Sequence, residues 1–217
     1  MRIVELDDPV VRFIGDNLDG IDPKVLWTAA FEADVYGNPV SNRPPGIHLS
    51  HILHFLYEKI EKPKRDESSD GLIAKNTKMS VGIGWEFILS LAIGRVYPAG
   101  RIIYPGYYES DGIVMNPDRF DYEEDVLEEF KCTWFSLRKA RTPDDFREFF
   151  WWWIMQAQAY CRVLKTLRAR FRVLFINGDY APPKPKPKQW QFDFTQSELD
   201  ANWRIILATG REMKLLK

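Results

Sequence analysis

The chain has 217 residues, of which 45% are apolar and 28% charged, and its net charge is −1. That length can bury a large core without staples, and the balance is that of an ordinary globular protein. The near-neutral total excludes a uniformly basic surface, so any contact with nucleic acid has to be local.

The only cysteines are Cys132 and Cys161, far apart and outside any CxxC spacing, which excludes a disulfide framework, a zinc ribbon and an iron–sulfur site. The opening "MRIVELDDPVV" has no basic stretch leading into an apolar run, so no signal peptide is expected. Nothing approaches 18 consecutive uncharged apolar residues. A soluble, cytoplasmic chain is the expectation.

Residues 1–46 are mixed, with a turn-rich loop in "GNPVSNRPPG". A helix is expected in "HLSHILHFLYEKIEK", apolar at Ile52, Leu53, Phe55, Leu56 and Ile60. A solvated loop, "KPKRDESSDG", separates it from an apolar helix, "MSVGIGWEFILSLAIGRV", whose only acid is Glu86. A β region runs from about Arg101 to Trp134 and holds a turn in "MNPDRFDYEED". One long helix is expected over residues 142–171, opened by Thr142 as N-cap, Pro143 at the first position and acids in the first turn. "FRVLFINGDY" and "QWQFDF" read as strands. Thr195 and Glu198 form a capping box for a last helix. The order implies one α/β (α+β) domain over residues 1–217 with a mixed central sheet flanked by helices.

"VLEEFKCTW" carries the first chemical signal. On a strand, Glu129 and Lys131 point to one face, placing a carboxylate and an ammonium among core-forming neighbours. Burying such a pair is costly unless something uses the charges, and a metal ion is one such user. A second acid has to come from the adjoining strand. With the turn at Glu123-Glu124, Phe120 faces Leu127 and Asp118 faces Glu129, which brings their Cβ atoms to about 4.5–5.5 Å. Asp111, an odd number of residues upstream, points the other way on an unbroken strand. Asp118 is the favoured partner and Asp111 the reserve, because Pro117 can break the strand.

Pro117-Asp118 followed by Glu129-Phe130-Lys131 resembles the signature of the PD-(D/E)XK nuclease superfamily. "GIGWE" resembles its Gly-x-x-[His/Glu] helix motif, with Glu86 in the acidic place. Gln156 and Tyr160 resemble the QxxxY pattern of the branch holding RecB-type nuclease domains and phage exonucleases. Spacing of four puts both on one helix face. The four elements span roughly residues 82–160, which makes residues 76–217 the core and residues 1–75 a helical and loop elaboration. The resemblance implies a restriction-endonuclease-like fold, a phage-encoded chain in a bacterial cytoplasm, and a metal-dependent deoxyribonuclease. An exonuclease processing DNA ends in recombination or repair is preferred. It further implies Mg²⁺ or Mn²⁺ (one or two ions) held by Glu86, Asp118 or Asp111, Glu129 and the Phe130 carbonyl. Catalytic positions would be Asp118, Glu129, Lys131, Glu86, Gln156 and Tyr160. As partners it implies DNA ends or single strands, a single-strand annealing or binding protein, and a homo-oligomer. With two cysteines, no iron–sulfur cluster carries over, and the helicase signature GxxxxGK[ST] is absent.

Those residue types suit phosphodiester hydrolysis. Carboxylates are hard ligands that leave water positions open, and the metal lowers the pKa of its water and shields phosphate charge. Lys131 can deprotonate or orient that water, which as a base requires a depressed pKa, or it can clamp the phosphate as a cation. A DNA track is offered by Arg162, Lys165, Arg168, Arg170 and Arg172, in a stretch from Phe149 to Gly178 without an acid. Lys184, Lys186 and Lys188 of "APPKPKPKQW" add to it as an extended arm, as do Arg138, Lys139 and Arg141.

Plainer readings stand beside these. Glu129 and Lys131 read as a surface pair on an edge strand, and Gln156 and Tyr160 as ordinary half-buried polar residues. His48, His51 and His54 tempt a zinc reading, but no acid or Cys completes the set. "FFWWWIM" reads as core, with an outward Trp able to stack on a base. The rival functions are a noncatalytic nucleic-acid-binding protein that keeps the fold, a structure-specific endonuclease, and a nuclease of RNA or branched DNA.

Overall fold

The computed structural model describes residues 1–5, 8–17, 44–61, 69–179 and 185–216. Its main sheet is built around β7 (Val126–Thr133). On one side β7 pairs antiparallel with β6 (Arg119–Asp121), and Phe120 lies opposite Leu127 as the sequence spacing requires. Asp121 Oδ1 closes the connecting turn by accepting from the Glu123 and Glu124 N–H groups at 3.0 and 3.1 Å. On its other side β7 pairs in parallel with β8 (Arg168–Phe175). The crossover carries α4 (Pro143–Phe149) and α5 (Trp151–Leu164). An antiparallel β9 (Lys186–Asp193) follows β8, and β1 (Arg2–Glu5) pairs with β9. With β3 (Ile102–Ile103) the order is β1-β9-β8-β7-β6-β3. The expected mixed sheet flanked by helices is therefore present, consistent with a restriction-endonuclease-like core.

A second sheet holds β2 (Ile47–His48), β4 (Tyr108–Ser110) and β5 (Ile113–Met115), in the order β2-β5-β4. The remaining helices are α1 (Pro9–Asn17), α2 (Leu49–Glu61), α3 (Ser69–Val96) and α6 (Gln196–Glu212). The predicted capping box forms at Thr195–Glu198, and the predicted N-cap Thr142 also closes a capping box, with Asp145. No helix among the described residues is long and apolar enough to cross a membrane.

Two apolar clusters cover the two faces of the sheet. Helices α2, α4, α5 and α6 pack on one face, with Phe146 against Trp190, Phe171 and Phe192 at ring distances of 4.7, 5.5 and 5.4 Å. Helices α1 and α3 pack on the other, where Val10, Trp85 and Leu89 meet Phe130 and Leu174. The N-terminal residues are thus part of the sheet and of its second core.

The structure corrects three sequence expectations. The long helix is broken at Phe150, whose φ of −124° and ψ of 30° leave the helical region. Five consecutive bulky aromatics cannot share one face of a straight helix; the break buries Phe150 and stacks it on Trp153 at 4.3 Å. The helix then ends at Lys165 (φ +61°), so "RARF" begins β8 instead of continuing the helix. Pairing with β7 overrides helix propensity there. Lastly, Lys186 and Lys188 are residues of β9, opposite Phe175 and Val173, and do not form an extended arm. Pro187 is accommodated because β1 pairs only with Trp190–Asp193, leaving this end of β9 an edge. Lys184 lies outside the described residues.

Candidate active site at the open edge of β7

Pairing of β6 with β7 stops at Arg119 opposite Glu128, and among the described residues no strand pairs with this side of β7 from Glu129 onward. Asp118, one residue before β6, fills the start of that gap, and its Oδ2 accepts from the Phe130 N–H at 2.8 Å. The N–H and C=O of a strand residue point to the same side, so the Phe130 carbonyl faces the same gap. Glu129 and Lys131 lie on the face covered by α5. Lys131 Nζ donates to Glu129 Oε2 at 2.6 Å and stands 3.9 Å from Asp118 Oδ2. Glu129 is 0% exposed, and its second oxygen, Oε1, has no hydrogen-bond partner.

Two helices reach this edge from opposite faces. From α5, Gln156 Nε2 donates to Tyr160 Oη at 2.9 Å. Burial first and the Glu129 charge second push the Tyr160 phenol well above its usual range, so it stays protonated. From α3, Glu86 approaches on the solvent side. Its carboxyl is pushed up to about 8, first by the protein packed around it and then by the Asp118 charge, with Glu129 adding to the rise. The six predicted catalytic side chains are thus grouped around one gap in the sheet.

Glu129 is held above the ordinary carboxylate range by burial, against the pull of Lys131. Burial alone would lower Lys131, but the Glu129 and Asp118 charges outweigh it and hold the ammonium well above its usual range. That is the opposite of what a general base needs and favours the cationic clamp.

The donor set suits a hard divalent cation: two carboxylates, one of them with an orphaned buried oxygen (Glu129 Oε1), and the Phe130 main-chain carbonyl. Among the described residues, however, no three His, Cys, Asp or Glu side chains form a ligand cluster. Glu86 feels the charges of the other two acids without closing a three-carboxylate set, so it is a marginal member of the predicted ligands.

Other predicted residues are placed elsewhere. Asp111 (φ +52°) and Gly112 (φ +76°) form the two-residue turn between β4 and β5, the positive-φ pair that an Asp-Gly hairpin favours. The Asp111 carboxylate accepts from Trp203 Nε1 at 2.9 Å, so Asp111 is a turn residue of the second sheet and no reserve ligand. Arg162 lies over the Trp203 ring at 4.8 Å and 3.9 Å from Asp200, tying α5 to α6. Lys165 is exposed, but at the end of β8 that lies beside the start of β7, away from Lys131.

Arg170 and Arg172 are buried, which overturns their place in a basic track. Period-two spacing on β8 turns both to the α3 face. There Arg170 donates to Glu128 at 3.0 Å, and Arg172 binds Glu128 and, at 3.0 Å, Asp8. Arg168 is spent on the Glu124 carbonyl. Arg138 and Lys139 remain exposed beyond the C-terminal end of β7, with Lys139 over the Phe149 ring at 4.4 Å. Lys186 is 3.5 Å from Asp179. His48 bonds the Pro44 carbonyl at 2.9 Å and His54 lies 3.3 Å from Glu58, with no zinc-like cluster among the described residues.

Sequence reasoning missed two groups. The buried arginines were signalled by the alternation Arg168-x-Arg170-x-Arg172 in a strand-forming run. Arg119, which bonds Ser90 on α3 at 3.1 Å, carried no signal.

No family model and no curated protein sequence matches the chain. Among solved structures it is similar to a phage-related exonuclease from Haemophilus somnus 129PT, at 12% identity and TM-score 0.45 over 76% of this chain and 79% of that one. It is also similar to SSO0001, at 10% identity and TM-score 0.46 over 91% and 89%. Likeness at this level leaves the site to be read from its own geometry.

Proposed function

We propose that the chain is a metal-dependent deoxyribonuclease that hydrolyses phosphodiester bonds and works from DNA ends. One observation carries the reading. At the unpaired edge of β7, Asp118 bonds the Phe130 N–H at 2.8 Å beside a fully buried Glu129 whose Oε1 is unpartnered, with Lys131 between the two acids. Asp118, Glu129 and the Phe130 carbonyl would hold Mg²⁺ or Mn²⁺, with Glu86 at the margin. When bound, such an ion supplies a water of lowered pKa and neutralises phosphate charge. Lys131, kept protonated, binds a non-bridging phosphate oxygen and stabilises the charge that develops on it. Tyr160 accepts from Gln156 and so has its own O–H free to donate toward the phosphate or to orient Lys131. Action from ends is preferred because the Gln156–Tyr160 pattern resembles the exonuclease branch.

A noncatalytic DNA-binding protein is the second reading, favoured by the Lys131–Glu129 pair being already closed at 2.6 Å without a three-acid cluster among the described residues. End-labelled linear and closed circular DNA, incubated with Mg²⁺ or Mn²⁺ beside Lys131→Ala and EDTA controls, separates them. Metal-dependent loss of linear DNA alone is expected. Cutting of circles would make the protein an endonuclease. Binding by wild type and variant with no cutting of either form would leave the noncatalytic reading.

A further inference from the structure

Glu86 and Asp118 come from different elements on different sides of the sheet, so something has to fix their separation. Arg119 lies opposite Glu128 and therefore on the α3 face of β6. Its guanidinium spans the two elements: Nη1 donates to the Asp118 carbonyl at 3.0 Å and Nη2 to Ser90 Oγ at 3.1 Å. Ser90 Oγ in turn donates to the Glu86 carbonyl at 2.8 Å, one helical turn back. One acid's main-chain carbonyl is thus joined to the other's through a guanidinium and a hydroxyl. The Tyr104 ring lies 5.9 Å from the Arg119 Cζ, and the Tyr104 hydroxyl donates to Asn116 at 2.5 Å, so the fork is held from the side as well.

We propose that Arg119 and Ser90 are positioning residues: their tie fixes the Glu86 carboxylate relative to the Asp118–Glu129 pair and so tunes divalent-metal binding there. The inference rests on the metal-site reading above. Packing of α3 through Trp85 and Leu89 is separate from the tie, so cutting the tie loosens the site and not the fold. Arginine is required because two partners in one plane need a fork, which a lysine ammonium cannot supply. A simple charge effect has the opposite sign. Removing a cation near the site would tighten cation binding, whereas loss of the tie weakens it.

The test is calorimetric Mn²⁺ binding to the full chain, with thermal melts confirming that each variant is folded. Ser90→Ala and Arg119→Lys both keep the net charge, and each is expected to weaken Mn²⁺ binding about tenfold, the scale seen when residues behind a ligand are removed. In a Glu86→Gln background the same substitutions should add nothing, because the carboxylate they position is gone. Arg119→Met should also weaken binding. Undiminished effects in the Glu86→Gln background, no effect of Ser90→Ala and Arg119→Lys, or tighter binding by Arg119→Met would each overturn the tie. A wild-type chain that binds no Mn²⁺ would instead overturn the metal-site reading beneath it.

Discussion

Glu128 and Glu129 are consecutive, and both are 0% exposed, yet the protein treats them in opposite ways. Glu128 points to the α3 face, where both oxygens are bonded, one to Arg170 at 3.0 Å and the other to Arg172. The cluster extends to Asp8, which also caps α1 by accepting from Val10 and Val11 at 2.8 and 3.0 Å, so it ties the N-terminal segment to the sheet. Glu129 points to the α5 face with one oxygen on Lys131 and the other on nothing. A buried carboxylate with both oxygens satisfied holds a fold together. One left half satisfied keeps capacity for a ligand, at a standing cost in stability.

The largest expected effect is on the unsatisfied side. Lys131→Ala should lower the cleavage rate by about a thousandfold, within the range for a lost acid–base or electrostatic group. Single-turnover assays with Mg²⁺ check it, and near-wild-type cutting would remove Lys131 from the chemistry.

On the satisfied side the effect should be on stability. Arg172→Met strips Glu128 and Asp8 of a buried partner, which typically costs about 3–5 kcal/mol. For a chain of this size that lowers the melting temperature by about 10 °C. Cleavage per folded molecule should persist. An unchanged melt would mean the arginine cluster is dispensable to the fold.

Acidity does not separate the two faces, because burial pushes Glu128 up as well, to about 7, but it does bear on the candidate ligands. Glu86 and Glu129 both titrate above the ordinary carboxylate range, Glu86 at about 8. With folded-state values raised, their contribution to stability is complete below the ordinary carboxylate range and is lost as pH rises through about 8. Metal binding requires the deprotonated acids and runs the other way. Mn²⁺ should therefore bind the protein more tightly at pH 9 than at pH 6, and Glu86→Gln should flatten the dependence. A pH-independent affinity over that range would exclude these acids as ligands.

The smallest effect concerns DNA affinity. Replacing Arg138 and Lys139 by Gln should weaken binding equally across sequences and reduce the salt slope by about one per phosphate contact. An unchanged slope would place the DNA elsewhere.

The grouping of the candidate side chains was largely legible in the sequence because its geometry is local. The hairpin register that brings Asp118 next to Glu129 and Phe130 follows from one turn, although the ladder itself stops at Arg119 opposite Glu128. Glu129 and Lys131 follow from strand alternation, and Gln156 and Tyr160 from helix spacing. What was not legible depends on long-range neighbours. Arg170 and Arg172 look like DNA-binding charges until β8 is paired and Asp8 and Glu128 are found beneath them. Lys186 and Lys188 look like an arm until β9 claims them. Asp111 could have been read correctly, since Asp-Gly marks a hairpin turn by itself. The Arg119–Ser90 tie joins residues 29 apart in sequence through a fold contact, which no local pattern records.

One variant tests the division between the two faces most directly. Glu129→Gln, measured at pH 8 for both thermal unfolding and Mg²⁺-dependent cleavage of linear DNA, removes the buried charge while keeping the side-chain shape. The expected result is a protein at least as stable as wild type that no longer cuts. A variant that melts well below wild type, or one that still cuts, would contradict the assignment of Glu129 to chemistry and of Glu128 to the fold.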